Sequence, residues 1–257
     1  MRKVLRYLPL KIKVTKEPSK SPSGSTLFAV HPHGSLAFGR AAAGFCKVDM
    51  WDKAFPSLKN LKVLTASAAF YVPVIRELWL ATCCIEASKK VAVEALKRSS
   101  CPTAVMVYPG GEVEQLMTRR GVEKVYIKKR KGFIKLALER GMEIVPVYAF
   151  GENDLFHTSQ LGMGFREMIQ KKIGVALPLI WGSPGMVPIK NGQKGVTLVF
   201  GESIGLWQGG KDPWKEGEVV TQEMIDSAHE LYCMKLKELF DKNKVPLGYG
   251  GRELEFC

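Results

Sequence analysis

Short apolar runs that end in glycine or proline alternate with segments of helical periodicity. This alternation predicts an α/β fold: a single domain whose mostly parallel central sheet is flanked by helices. No internal repeat interrupts the pattern, and no composition shift marks a boundary after residue 25 of the 257-residue chain. Residues 26–257 are therefore read as one domain. A flexible basic segment over 1–25 precedes it, and the stretch TKEPSKSPSGS within that segment is rich in Pro, Ser, Gly and Lys.

The elements follow in order. TLFAV (26–30) is a short apolar strand, broken by Pro32 and Gly34, and SLAFGRAAAGF reads as a short helix with Ser35 near its cap. LKVLTA (61–66) is a second strand, and AAFYVPVIRELWLA turns through Pro73 into a helix. SKKVAVEALKRS (88–99) places Val91, Ala95 and Leu96 on one face and lysines on the other, which is an amphipathic helix. TAVMVYP (103–109) is a third strand, stopped by Pro109, Gly110 and Gly111. GFIKLALERG (132–141) has Phe133, Leu136, Ala137 and Arg140 at helical spacing, with Gly141 as its stop. EIVPVYAFG (143–151) and VTLVFGESI (196–204) are further strands. The final helix, 221–244, carries the stripe Ile225, Ala228, Tyr232, Leu236 and Phe240, with Thr221 as N-cap.

Composition narrows the function. The net charge of +13 favours an anionic partner: nucleic acid, anionic lipid or a phosphate-bearing substrate. A solvated basic surface accounts for the charge equally well. Six cysteines occur without any C-x-x-C spacing, and Cys83 and Cys84 are adjacent, so neither zinc nor a disulfide framework is expected. The thiols are read as reduced and mostly buried, on the cytosolic side. No run reaches the ~18 apolar residues of a membrane-spanning helix. The short basic-apolar start, MRKVLRYLPLKIKVTK, suits a membrane surface instead. G-x-S-x-G and G-x-G-x-x-G are both absent, which disfavours a serine hydrolase and a dinucleotide fold. GLWQGGKD (205–212) approaches a phosphate-binding loop, but Asp212 stands where Ser or Thr holds magnesium and Pro213 blocks the helix; it is read as a loop.

The histidines carry the sharpest signal. Only four occur, and two lie in HPHG, directly after the first strand. Ligands of parallel sheets bind outside the carboxyl ends of the strands, so His31 and His33 are expected at that rim. Pro32 fixes the backbone between them, and Gly34 permits a tight bend or the close approach of a substrate. An imidazole with a pKa near 6.5 suits a general base. The bland alternative is a pair of polar residues that close a strand.

VYPGGEVEQL (107–116) ends another strand and brings Glu112 and Glu114. Two parallel strands ending at one rim would put Glu114 near His33, where a carboxylate can orient an imidazole. The residues alone leave a solvated Gly-rich turn equally open. A basic run follows over 118–133, with Arg130 and Lys131 directly before a helix, a good setting for an anion. Few aromatics interleave it, so a nucleic-acid partner is not expected.

HPHG, FYVPVIREL, the PGG turn and RKGFIKLALERGMEIVPVYAFGEND, in that order, resemble the type-2 diacylglycerol acyltransferase family, with its monoacylglycerol acyltransferase and wax synthase relatives. The similarity runs from about residue 26 to about residue 247. It implies a glycerolipid-acyltransferase-like fold and transfer of a fatty acyl group from acyl-CoA to diacylglycerol, giving triacylglycerol. A monoacylglycerol or long-chain alcohol acceptor, or an inactive lipid-binding homologue, are the alternatives. Acyl-CoA is then a co-substrate, and no bound cofactor or metal is expected.

Distant glycerolipid acyltransferases use a His-x4-Asp motif, but here Leu36 and Phe38 stand five residues after His31 and His33. The resemblance instead assigns the partner carboxylate to Glu114, the base to His33 and a supporting role to His31. Pro32, Gly34, Gly110, Gly111 and Phe133 are expected to line the substrate, with backbone donors at Gly34 or the two later glycines for the oxyanion. Arg130, Lys131 and Arg76 are expected to meet the coenzyme A phosphates. The family implies the cytosolic face of the endoplasmic reticulum membrane. Its members carry a hydrophobic hairpin before HPHG; a segment of about 25 residues with a basic balance stands there in this chain, so apolar patches and the basic surface are expected to dock it on the bilayer.

Overall fold

The computed structural model describes residues 10–18, 23–40, 50–58, 60–71, 73, 75–97, 102–174, 176–183, 185, 187–189, 195–206 and 219–257. Cys46, Cys101, residues 41–45 of the short helix expected after Ser35, and part of GLWQGGKD lie outside these residues.

The strands are β1 (Leu10–Val14), β2 (Thr26–His31), β3 (Asn60–Thr65), β4 (Cys84–Glu86), β5 (Thr103–Val107), β6 (Glu123–Val125), β7 (Glu143–Phe150), β8 (His157–Ser159), β9 (Leu179–Trp181), β10 (Val196–Phe200) and β11 (Leu254–Phe256). The helices are α1 (Met50–Ala54), α2 (Ile75–Ala81), α3 (Lys89–Lys97), α4 (Gly111–Met117), α5 (Gly132–Glu139), α6 (Met163–Ile173) and α7 (Gln222–Lys244). Seven strands form one sheet in the order β1-β10-β7-β2-β5-β3-β4, and every pairing is parallel except β10 with β7. The expected α/β class holds.

β2, at the centre, is buried at every position. Its side chains alternate between two cores: Leu27 and Ala29 face one, Phe28 and Val30 the other. On the first face the α7 stripe packs as its periodicity predicts, and the Thr221 hydroxyl accepts the Met224 N–H at 3.2 Å. On the second, Phe28, Trp51, Phe55 and Phe200 form an aromatic cluster with centroids 4.6–6.1 Å apart. Each such ring, fully buried, contributes roughly 1.5–3 kcal/mol.

The flexible segment expected over 1–25 contains a strand. Leu10, Ile12 and Val14 alternate with Lys11 and Lys13, and β1 pairs in parallel with β10 at the sheet edge. The lysines mask an apolar face that packs on the second core, and Lys13 Nζ donates to Asn243 Oδ1 at 2.8 Å. The cysteines also differ from expectation. The four described are free thiols, but only Cys84 is buried, while Cys83 is exposed.

Candidate active site

β5 and β7 flank β2 in parallel, with Ala29 opposite Val107 and His31 opposite Tyr148. HPHG, the PGG turn and the GEND segment therefore leave the sheet at the same rim, where ligands of parallel sheets bind. The rim convergence expected from the sequence is present.

The PGG segment is no solvated turn. Gly111 takes φ +54°, its N–H donates to the Tyr108 carbonyl at 3.1 Å, and α4 begins at once. That N–H is engaged, which removes Gly111 from the expected oxyanion donors. The first turn of α4 carries Glu114 back across the end of β2, where it is almost fully buried. Its Oε1 accepts the His33 backbone N–H, and its Oε2 accepts the Tyr126 N–H at 2.9 Å. A side chain at Gly110 would collide with this carboxylate. Glu114 thus holds the main chain of His33 rather than its imidazole, which corrects the expected contact. The ring that faces Glu114 Oε2 is that of His31, with Nδ1 at 3.7 Å.

The two imidazoles differ sharply. His31 has no exposure, neither ring nitrogen has a hydrogen-bond partner among the described residues, and its ring lies 6.2 Å from that of Tyr232. His33 is half-buried. Its Nδ1 lies 3.0 Å from the Gly34 carbonyl, which fixes the proton on Nδ1 and leaves the Nε2 lone pair free. Burial lowers its pKa below 6.5, outweighing the Gly34 hydrogen bond and the Glu114 charge. A neutral imidazole with Nε2 unprotonated can accept a proton at pH 7.

Glu152, in GEND, is a rim residue that the sequence reading missed. It is buried; Oε1 accepts the Phe38 N–H at 2.6 Å and Oε2 the Gly39 N–H at 2.7 Å. Burial raises its pKa to about 7 despite those two donors. Gly34, at φ +63°, must be glycine here because a Cβ would strike the Glu152 side chain. Tyr108 packs edge-on against His33 at 5.4 Å. Beneath them, Glu123 accepts from Tyr148 Oη at 2.7 Å and pairs with Arg252 at 2.7 Å, and Arg252 also pairs with Asp154 at 2.9 Å. Burial raises the Glu123 pKa against these contacts.

The remaining expected residues scatter. Arg130 is half-buried, its guanidinium over the Tyr126 ring at 5.2 Å, and Tyr126 contacts Glu114 through its N–H. Lys131 pairs with Asp226 at 2.7 Å. Arg76 pairs with Glu77 at 2.7 Å on an exposed face of α2, and no described contact links it to HPHG. Phe133, expected to touch substrate, is a core residue packed edge-on against Tyr232 at 5.0 Å, because α5 turns its apolar face to α7. Pro32 is buried between the two histidines. Among the described residues no cluster of three His, Cys, Asp or Glu could hold a metal ion.

The fold and this rim define an α/β protein with a half-buried histidine at the carboxyl end of a parallel sheet, its own main-chain N–H held by Glu114 and the chain just beyond it by Glu152. The sequence model of the diacylglycerol acyltransferase family matches residues 1–255, and the chain belongs to that family. It is 32% identical to diacylglycerol O-acyltransferase 2 of Xenopus tropicalis, over 96% of this chain and 68% of the relative. It is 33% identical to the protein of that name from Dictyostelium discoideum, over 93% of this chain and 71% of the relative. It is also 32% identical to diacylglycerol O-acyltransferase 1 of Eremothecium gossypii, over 89% of this chain but only 49% of that relative's length. No solved structure matches the chain.

Proposed function

We propose that this protein transfers a fatty acyl group from acyl-CoA to the free hydroxyl of diacylglycerol, releasing coenzyme A and triacylglycerol, with His33 as the general base. Family membership supports the reaction, and one observation carries the site: His33 combines partial exposure, a free Nε2 and a lowered pKa at the rim. Nε2 accepts the hydroxyl proton as the acceptor oxygen attacks the thioester carbonyl. The tetrahedral intermediate collapses, the carbonyl re-forms as the C–S bond breaks, and the departing thiolate takes the proton from the imidazolium. No covalent acyl-enzyme is required. The developing oxyanion is assigned to backbone donors at Gly34 or Gly110.

In this scheme Glu114 is a positioning residue. It fixes the His33 main chain and balances a charge that arises beside His31. Arg130, partly buried beside Tyr126, is the cation assigned to the coenzyme A phosphates. The lipid acceptor and the +13 net charge support action at a membrane surface, and the cytosolic face of the endoplasmic reticulum belongs to the same reading. Among the described residues no helix is long and apolar enough to cross a membrane.

The test supplies labelled oleoyl-CoA with monoacylglycerol, diacylglycerol and hexadecanol in parallel and resolves the products. Labelled triacylglycerol from the diacylglycerol arm is expected. A dominant wax ester or diacylglycerol product would reassign the acceptor, and no ester from any arm would overturn the reading.

A further inference from the structure

Fourteen large apolar side chains are exposed among the described residues. Six fall within 161–181: Leu161, Phe165, Met168, Leu177, Leu179 and Trp181. Leu161 is 77% exposed, Phe165 64% and Trp181 49%. Phe165 and Met168 lie one turn apart on α6 and share a face, and Leu161 is exposed just ahead of the helix. Leu177, Leu179 and Trp181 alternate along β9 and its approach, so they too share a face. A helix in a globular protein normally turns such a stripe inward; α6 turns it to solvent.

α6 and the antiparallel β8–β9 pair that it connects are tied together by a buried cation. Arg166 donates to the Ser159 carbonyl at 2.7 Å, on β8, and to the Leu177 carbonyl at 3.4 Å, just ahead of β9. The apolar face is therefore a built platform, not a frayed loop. Exposed Lys171 and Lys172 stand at the end of the same helix. On its other side α6 packs against α4, whose first turn holds Glu114, and Gln170 hydrogen-bonds Glu112.

We propose that the α6–β9 face is the surface on which the protein lies on a lipid bilayer bearing anionic headgroups. This deepens the acyltransferase reading and rests on it for the identity of the lipid. Leucine, phenylalanine and tryptophan enter the acyl–headgroup boundary, and flanking lysines meet anionic lipid. A second copy of the chain fits the face less well. It would bring Lys171 and Lys172 against their own kind in a protein that already carries +13. The contact of α6 with α4 then sets the catalytic rim close to the membrane that holds the acceptor.

The full chain is floated with phosphatidylcholine vesicles, with and without phosphatidylserine. The double variant Phe165→Ser, Trp181→Ser should lower partitioning by about tenfold or more on both vesicles. The pair Lys171→Glu, Lys172→Glu should remove the phosphatidylserine-dependent gain, about fivefold per lysine. Trp181 also stacks on His157 at 5.6 Å, so melting curves are recorded alongside, and Phe165→Ser alone, which should lower partitioning in the same direction, keeps the test decisive if the double variant melts early. The variants should also keep thioester turnover on a short-chain, water-dispersed diacylglycerol. Unchanged partitioning of the double variant would overturn the proposal. So would a concentration-dependent dimer that the double variant abolishes while vesicle binding persists. Failure of the parent to turn over any acyl-CoA would remove the acyltransferase reading and leave the vesicle result standing.

Discussion

Glu114 grips His33 by its main chain: one carboxylate oxygen takes the His33 N–H while the other faces the His31 ring at 3.7 Å. His33 is thus set by its backbone, by its own Nδ1–Gly34 contact and by the Tyr108 ring packed edge-on against it.

Glu114→Gln keeps one acceptor oxygen but presents an amide to either the His33 or the Tyr126 N–H. One backbone N–H is left without its acceptor, and a destabilisation of about 1–3 kcal/mol is expected. Glu114→Ala leaves both donors unsatisfied and should be worse. Because a small displacement of a catalytic group is expensive, turnover should fall about 100-fold even where the fold survives. Urea unfolding and single-turnover rates on the same samples check this; normal turnover in a well-folded Glu114→Ala protein would contradict it.

The acid limb of activity should belong to His33. Its folded pKa lies below 6.5, so the base is neutral at pH 7 and loses activity only as pH falls below 6.5. The same shift has a stability consequence. The unfolded chain takes up the proton first, so the folded state loses stability as pH falls from about 6.5 toward the lower folded value. A kcat/KM profile with an acid limb at or above pH 7.5 would contradict the assignment.

Glu152 predicts the opposite pH trend. With a folded pKa of about 7 against 4.5, the unfolded chain ionises first as pH rises. The contribution is fully present below pH 4.5 and is lost as pH rises through 7, by up to about 3 kcal/mol. Glu152→Gln should flatten this limb while it weakens one of the bonds to Phe38 and Gly39. Denaturant unfolding at pH 5 and pH 8 compares the two proteins. A Gln variant with the parental pH dependence would show that Glu152 does not titrate in this window.

Arg252→Met should destabilise by about 3 kcal/mol, because it leaves the buried Glu123 carboxylate without its cation. Removing both partners, Glu123→Gln with Arg252→Met, should recover part of the loss, and a double-mutant cycle measures the coupling.

The rim was legible because its signals are local. Apolar runs that stop at Pro and Gly mark strand ends, and His33 sits where such a run stops. Glu114 was legible as a residue but not as a contact: its direction is set by α4, which starts inside the glycine turn. Glu152 was hidden because its partners, Phe38 and Gly39, lie 114 and 113 residues away, and no spacing rule connects them. β1 was hidden by Lys11 and Lys13, which make an edge strand read as part of a basic tail. Phe133 was misread because a motif does not say which side of its helix faces the core.

The most direct test of the account is acyl transfer by His33→Ala, with labelled oleoyl-CoA and diacylglycerol and with the melting curve recorded alongside. The account predicts a folded protein whose turnover is about 100- to 10,000-fold lower, the range of a lost general base. A folded His33→Ala protein that makes triacylglycerol at the parental rate would contradict it.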